Sequence, residues 1–363
     1  MNSLCFPDDI RHLTPDMLTA VIRRLYPGVT VDSVEIVESK SYGQEMVSTA
    51  ARAVLDLTYS AGADLPARVV LKLARDSSKF LAPFYENEVD FYNNLRGELS
   101  IEAPRTLGGH YDPESGQFGL LLEDLNQRDA HFPNVTEEIR LGVVESLLDE
   151  LAKLHAGYWQ SPRFDTDLDW VQSHRQGKVS HLQNEAVTPV IQHEIDNENF
   201  KREMVQRLRT SGPMLRAGMI AVQKHHSTLA QTLLHGDAHL GNTYILPGDK
   251  GGFLDWQLMV RGYCMHDVNY LVTTALSIEQ RRNNEESLLR RYLSRLSDLG
   301  IERPPSFDEA WREYRRTLVW GVYYGWLTTP IGNYGWEINV LNHLRLTTAY
   351  EDLDTARLVA ELL

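Results

Sequence analysis

The spacing of apolar positions gives this chain two textures. From about residue 30 to 75 they come as short alternating or continuous runs: Val31 to Val37, Ala51 to Tyr59 (Val54, Leu55, Leu57) and Arg68 to Leu73. Turn residues Tyr42-Gly43 and Ser60-Ala61-Gly62-Ala63-Asp64 separate them, so antiparallel strands are expected. Ahead of the strands, Thr14-Pro15-Asp16 predicts a helix start, a capping hydroxyl followed by Pro at the first helical position. Leu18, Val21, Ile22 and Leu25 form its apolar face, and Pro27-Gly28 is the expected stop. Behind them a helix is predicted over about Pro83 to Arg96, then a strand pair around Gly108-Gly109 and Gly116 that closes with Phe118 to Leu125.

After residue 126 the spacing changes to three and four. Asn134 with Glu137 is placed to cap a long helix whose Ile139, Val143, Leu147, Leu151 and Leu154 share a face. Ser306 with Glu309 opens another through Trp311, Tyr314, Leu318 and Val322, while Trp320, Tyr323, Tyr324 and Leu327 make a second apolar row. No repeat or low-complexity tract occurs. The expected class is α+β: residues 1–125 an antiparallel sheet with helices, residues 126–363 a larger, mainly helical part.

Composition adds exclusions. A chain of 363 residues has room for two cores, and 42% hydrophobic with 24% charged residues is ordinary for a globular protein. A formal charge of −14 argues against nucleic acid as the main partner and fits a cationic small molecule slightly better. Cys5 and Cys264 lack disulfide or metal spacing. The first residues carry acids and a Pro where a signal peptide needs a basic end and an apolar run, and no stretch reaches membrane-span length. A cytoplasmic location without membrane contact is the expectation.

The chemistry concentrates in His235-Gly236-Asp237-Ala238-His239-Leu240-Gly241-Asn242 and Phe253-Leu254-Asp255-Trp256. A carboxylate, an amide five residues later and a second carboxylate after a short apolar run is the order that kinase-type phosphoryl transfer needs. Asp237 is the candidate base; Asn242 and Asp255 are hard oxygen donors suited to Mg²⁺. Lys72 stands alone among apolar residues of its strand, where it must reach solvent at an edge or meet an anion. On the helix from Pro83, Glu88 shares the inward face with Phe84, Phe91, Tyr92 and Leu95, whereas Glu86 falls on the polar side. An inward carboxylate needs a partner, and Lys72 is the candidate.

These motifs resemble the aminoglycoside phosphotransferase and choline kinase-like family, with the Glu88-Val89-Asp90-Phe91-Tyr92, Leu-Leu-Glu-Asp-Leu and Asp-Trp-Gln segments looking closest to the ecdysteroid kinase-like (CHK-like) branch and its bacterial relatives. The resemblance runs from about residue 10 to 345 and is most specific at 235–255. It implies a two-lobed protein-kinase-like fold, ATP or GTP with Mg²⁺ as cofactors, and a small-molecule hydroxyl as acceptor. It implies further that Lys72 contacts nucleotide phosphates, that residues 122–126 form a hinge where backbone near Glu123 and Leu125 meets the purine, and that 253–257 is the metal segment. Asp267 matches an acidic position that ties down the catalytic loop. Where protein kinases carry a glycine-rich run, Ser39 to Ser48 has only Gly43. The aromatic rows at Trp320, Tyr323 and Tyr324 are candidates for the acceptor pocket.

Two other readings use the same residues. His235, Asp237 and His239 at alternate positions suit Zn²⁺ or Fe²⁺ in a metal-dependent hydrolase, which leaves Asn242 and Asp255 without a role. A non-catalytic nucleotide-binding protein would keep the fold and lose the constellation, yet all five positions are filled.

Overall fold

The structure, a computed structural model, describes residues 6–7, 9–40, 50–60, 63–74 and 80–363, with the backbone alone at Ser39 and Lys40. Gly43 of the expected phosphate loop, with Ser41, Ser48 and the Lys40 side chain, lies outside the described residues. The chain forms two compact units. The first comprises Met1–Leu99, Ala103–His131 and Asp255–Gln257; the second comprises Ser100–Glu102, Phe132–Leu254 and Leu258–Leu363.

The frame of the first unit is a five-stranded antiparallel sheet: β1 (Val31–Lys40), β2 (Ala50–Tyr59), β3 (Arg68–Ala74), β4 (Thr106–Tyr111) and β5 (Phe118–Glu123), in the order β1-β2-β3-β5-β4. Side chains alternate across a strand, so Ala53, Leu55, Leu57, Val69 and Leu71 line one face. There Leu18, Val21 and Ile22 of α1 (Pro15–Ile22) complete a buried cluster. Thr14 caps α1, its hydroxyl accepting from Met17 N–H at 3.3 Å. The helix ends at Ile22, before the Pro27-Gly28 stop, because the chain leaves it through tight turns closed by Arg24 N–H to Val21 O and Tyr26 N–H to Ile22 O.

The other face carries Lys72, whose register partners are Arg52 on β2 and Leu120 on β5. A lysine in a middle strand has no edge to reach, so its charge must be met locally. α2 (Ala82–Asp90) supplies the partner; a wider turn over Phe91–Leu95 and a tighter one over Arg96–Glu98 extend it. Phe84, Glu88, Phe91, Tyr92 and Leu95 are all buried, as the periodicity requires. Phe91 stacks on Trp256 with centroids 4.0 Å apart and planes 6° from parallel, fastening Asp255–Gln257 to this unit.

The second unit is mainly helical. α3 (Leu141–Gly157) buries Val143, Leu147, Leu151 and Leu154 as predicted, but it does not begin at Asn134. Asn134 instead closes a local turn, its Oδ1 accepting from Thr136 N–H at 2.9 Å while its amide donates to Glu137 at 3.1 Å. Every residue of the helix Met265–Ala275 is buried, which makes it the centre of the unit. Ser306 and Glu309 form the predicted capping box at the start of Phe307–Trp320, and a wider turn continues that helix to Trp326. Two short antiparallel ladders pair β6 (Thr232–Leu234) with β9 (Val260–Gly262) and β7 (Thr243–Leu246) with β8 (Lys250–Phe253). The expected α+β class is therefore what the elements form. Among the described residues no helix is long and apolar enough to cross a membrane.

Candidate active site

In the second unit β6 delivers the chain into the loop 235–242. The backbone N–H groups of His235 and Gly236 donate to the two oxygens of Asp267, at 2.7 and 2.9 Å. His155 donates to the same carboxylate at 3.1 Å and is itself paired with the Tyr292 hydroxyl at 2.6 Å. Asp267 is wholly buried; burial opposes its charge, but the hydrogen bond and charge of His155, with His266 and His235 nearby, hold its pKa down at about 2. It is a positioning residue, as expected. Gly236 has φ +81°, and a Cβ there would stand 1.9 Å from the carbonyl oxygen of Leu258, so only glycine makes this bend.

The bend leaves Asp237 with its side chain 14% exposed. Asn242 donates its amide to Asp237 twice, to the backbone oxygen at 3.0 Å and to Oδ2 at 2.9 Å. This fixes the carboxylate and turns the Asn242 Oδ1 away as the acceptor atom of that side chain. His235 accepts from Asp237 N–H through Nδ1 at 3.2 Å and donates through Nε2 to Leu254 O at 3.0 Å. With both ring nitrogens engaged, His235 has none to offer a transition metal. His239 spends Nδ1 on Gly241 N–H at 3.0 Å, and its Nε2 lies 4.0 Å from Asp237 Oδ2. Among the described residues no group of three or more His, Cys, Asp or Glu side chains is arranged to hold a metal ion.

In the first unit Lys72 donates to both oxygens of Glu88, at 2.6 and 2.7 Å, and to Asp255 at 2.9 Å. Burial works against the charge on Lys72, but the carboxylates of Asp255 and Glu88 outweigh it and raise its pKa above the ordinary lysine value. Asp255 takes φ +67°, a left-handed backbone that a non-glycine residue adopts at a cost. Sequence reasoning missed Arg52. It lies opposite Lys72 in register, and among the described residues its buried Nε makes no hydrogen bond. The signal was an arginine inside the apolar run of β2, at the position that faces the lysine.

Glu123 ends β5, its carboxylate accepting from Arg105 N–H at 2.8 Å and from Arg128 at 3.1 Å. The Leu125 carbonyl accepts from the N–H groups of Asp129 and Ala130. Trp320 packs edge-on against His266 and Tyr270, with centroids 4.5 and 5.0 Å away, and the hydroxyl of Tyr323 turns to Thr188. Tyr324 is nearer the loop: burial, then the carboxylate of Asp237, push its phenol above the usual range. Tyr270 feels the same carboxylate, and the ring of His239 meets Tyr270 and Trp326 edge-on at 5.9 and 6.0 Å. Tyr270 and Trp326 were not singled out in the sequence, where they look like any other apolar position of a helix.

Comparison with known proteins yields one family: the model described as the phosphotransferase enzyme family matches residues 49–314. No curated protein matches the chain. Among solved structures it is similar to an ethanolamine kinase of Plasmodium vivax, with 12% identity over 89% of this chain and 84% of that one, TM-score 0.49. It is also similar to the choline kinase of Streptococcus pneumoniae, with 16% identity over 89% and 94%, TM-score 0.45. A third is an aminoglycoside phosphotransferase of Streptomyces rimosus in complex with ADP and streptomycin, with 18% identity over 80% and 94%, TM-score 0.44.

Proposed function

Because this chain belongs to the phosphotransferase enzyme family, we propose that it transfers the γ-phosphoryl group of ATP or GTP to a hydroxyl of a small molecule. The observation that carries this reading is Lys72, a buried cation in a middle strand held by Glu88 and by the strained Asp255. A purely structural ion pair needs one carboxylate and no backbone strain; a cation kept charged beside a second carboxylate suits a phosphate group that arrives with a metal.

In this reading Lys72 binds nucleotide phosphates and Glu88 holds it in place, with Arg52 as a further cation on the same sheet face. The peptide groups near Glu123 and Leu125 serve the base; with the Leu125 carbonyl engaged, its N–H is the group that residue offers. Asp255 and the Oδ1 of Asn242 are one carboxylate and one amide oxygen, a donor set suited to Mg²⁺, which when bound supplies neutralisation of the phosphate charge. Asp237, oriented by the Asn242 amide, accepts the proton of the acceptor hydroxyl as its oxygen bonds to phosphorus and the bond to the nucleoside diphosphate breaks. Tyr270, Tyr324 and Trp326 would shape the acceptor's surroundings, with Trp320 and Tyr323 supporting them. The engaged ring nitrogens of His235 speak against the hydrolase reading.

The test is nucleoside diphosphate release with a panel of hydroxylated acceptors, for wild type and Asp237→Asn. Loss of the base should lower kcat by roughly 10²–10⁴-fold with nucleotide KM little changed. Equal turnover in the two proteins would remove Asp237 from the role.

A further inference from the structure

The second unit holds a cavity of about 880 Å³ lined by none of the residues assigned above. Its volume is in the range of small-molecule sites. The charged groups on its walls are two guanidiniums, Arg175 and Arg261, against one carboxylate, Asp165; the remaining lining is neutral, with Phe164 as a buried apolar wall. Among the described residues neither guanidinium makes a hydrogen bond or an ion pair. That is notable in a chain with 50 acidic and 36 basic residues, where an arginine at random meets a carboxylate easily.

The two arginines are placed by backbone structure. Arg175 sits at the tip of a turn in which Ser173 and Gln176 exchange hydrogen bonds at 3.0 and 3.3 Å. The Ser173 hydroxyl accepts from the N–H groups of Arg175 and Gln176 at 3.3 and 3.1 Å. Ser173 then forms a parallel bridge with Arg261 of β9, whose N–H donates to Gln172 O at 2.7 Å. Ligand binding therefore has to order the two side chains but not the backbone that carries them.

We propose that this cavity binds a small polyanion, a metabolite bearing phosphate or carboxylate groups, at a site separate from phosphoryl transfer. Guanidinium forks match such oxyanions in charge and in planar geometry. The site is not the acceptor pocket. None of Asp237, Asn242, Tyr270, Tyr324 and Trp326 lines it, and Gln231, its wall residue just ahead of β6, comes before the loop 235–242 in the chain. Since β6 runs directly into the loop 235–242, occupancy bears on the strand that carries the base.

Titration calorimetry of the full chain with inorganic pyrophosphate and, separately, with citrate, both with EDTA present, tests this. Saturable binding of at least one probe at one site per chain is expected; pyrophosphate alone identifies a phosphorylated ligand and citrate alone a polycarboxylate. Affinity should fall at least ~10-fold in Arg175→Ala/Arg261→Ala, from lost charge-assisted hydrogen bonds, and persist in Lys72→Ala. If the double variant does not fold, Arg175→Ala, at an exposed turn tip, should still weaken binding several-fold. No saturable binding of either probe in the millimolar range, unchanged affinity in the arginine variants, or loss in Lys72→Ala would overturn the assignment.

Discussion

At the scale of the residue, two carboxylates do different work because their surroundings differ. Asp255 pays for its position in backbone geometry, with φ +67°. Replacing it by glycine relieves that strain and replacing it by alanine does not. Asp255→Gly should therefore be more stable than Asp255→Ala by about 1 kcal/mol, while both lose turnover equally. Thermal unfolding and kcat of the pair check this; an alanine variant as stable as the glycine one would mean the strain is not real. Asp267 instead is held by three donors at zero exposure. Its pKa of about 2 lies below the ordinary value of 3.8, so its stabilisation is complete above about pH 4 and is lost as pH falls toward 2. That difference is worth about 2 kcal/mol, and Asp267→Asn should cost about 2–4 kcal/mol at pH 7 with a gap that narrows in acid. Urea unfolding at pH 7 and pH 3 would detect it; a gap constant across that range contradicts the assignment.

Elements show what local sequence can and cannot specify. The strands were legible because period-two burial fixes which residues face the core, and the same alternation aimed Lys72 away from Val69 and Leu71. Glu88 was legible because the helical period set it among Phe84, Phe91, Tyr92 and Leu95, and the ion pair is there at 2.6 Å. The start of α3 was misplaced because an asparagine with a glutamate three later closes a turn as readily as it caps a helix. Arg52 escaped notice because its place opposite Lys72 depends on cross-strand register, which no single strand reveals. The packing of Asp255–Gln257 with the sheet unit was equally hidden, since it rests on Trp256 meeting Phe91, far away in sequence. Trp256 is fully buried, so Trp256→Ala should cost about 3–5 kcal/mol and lower activity by loosening its neighbour Asp255. Calorimetric unfolding with parallel assays would test this, and an active variant of wild-type stability would deny the stack its role.

For the whole molecule, membership of the phosphotransferase family and the composition of the two residue groups belong to one account: Lys72, Glu88 and Asp255 in the first unit, Asp237 and Asn242 in the second. That account assigns the first group to the phosphates and metal and the second to the acceptor and metal. Its central claim, a metal–nucleotide complex handled by these residues, has a direct test in thermal unfolding. The measurement is the shift in melting temperature with ATP or GTP, each with and without Mg²⁺, for wild type and Asp255→Ala. At a nucleotide concentration 100 times Kd the stabilisation would be about 2.7 kcal/mol. The account predicts a shift in wild type that requires nucleotide and Mg²⁺ together and is lost in Asp255→Ala. No shift with any nucleotide, or one that Asp255→Ala retains in full, would contradict it.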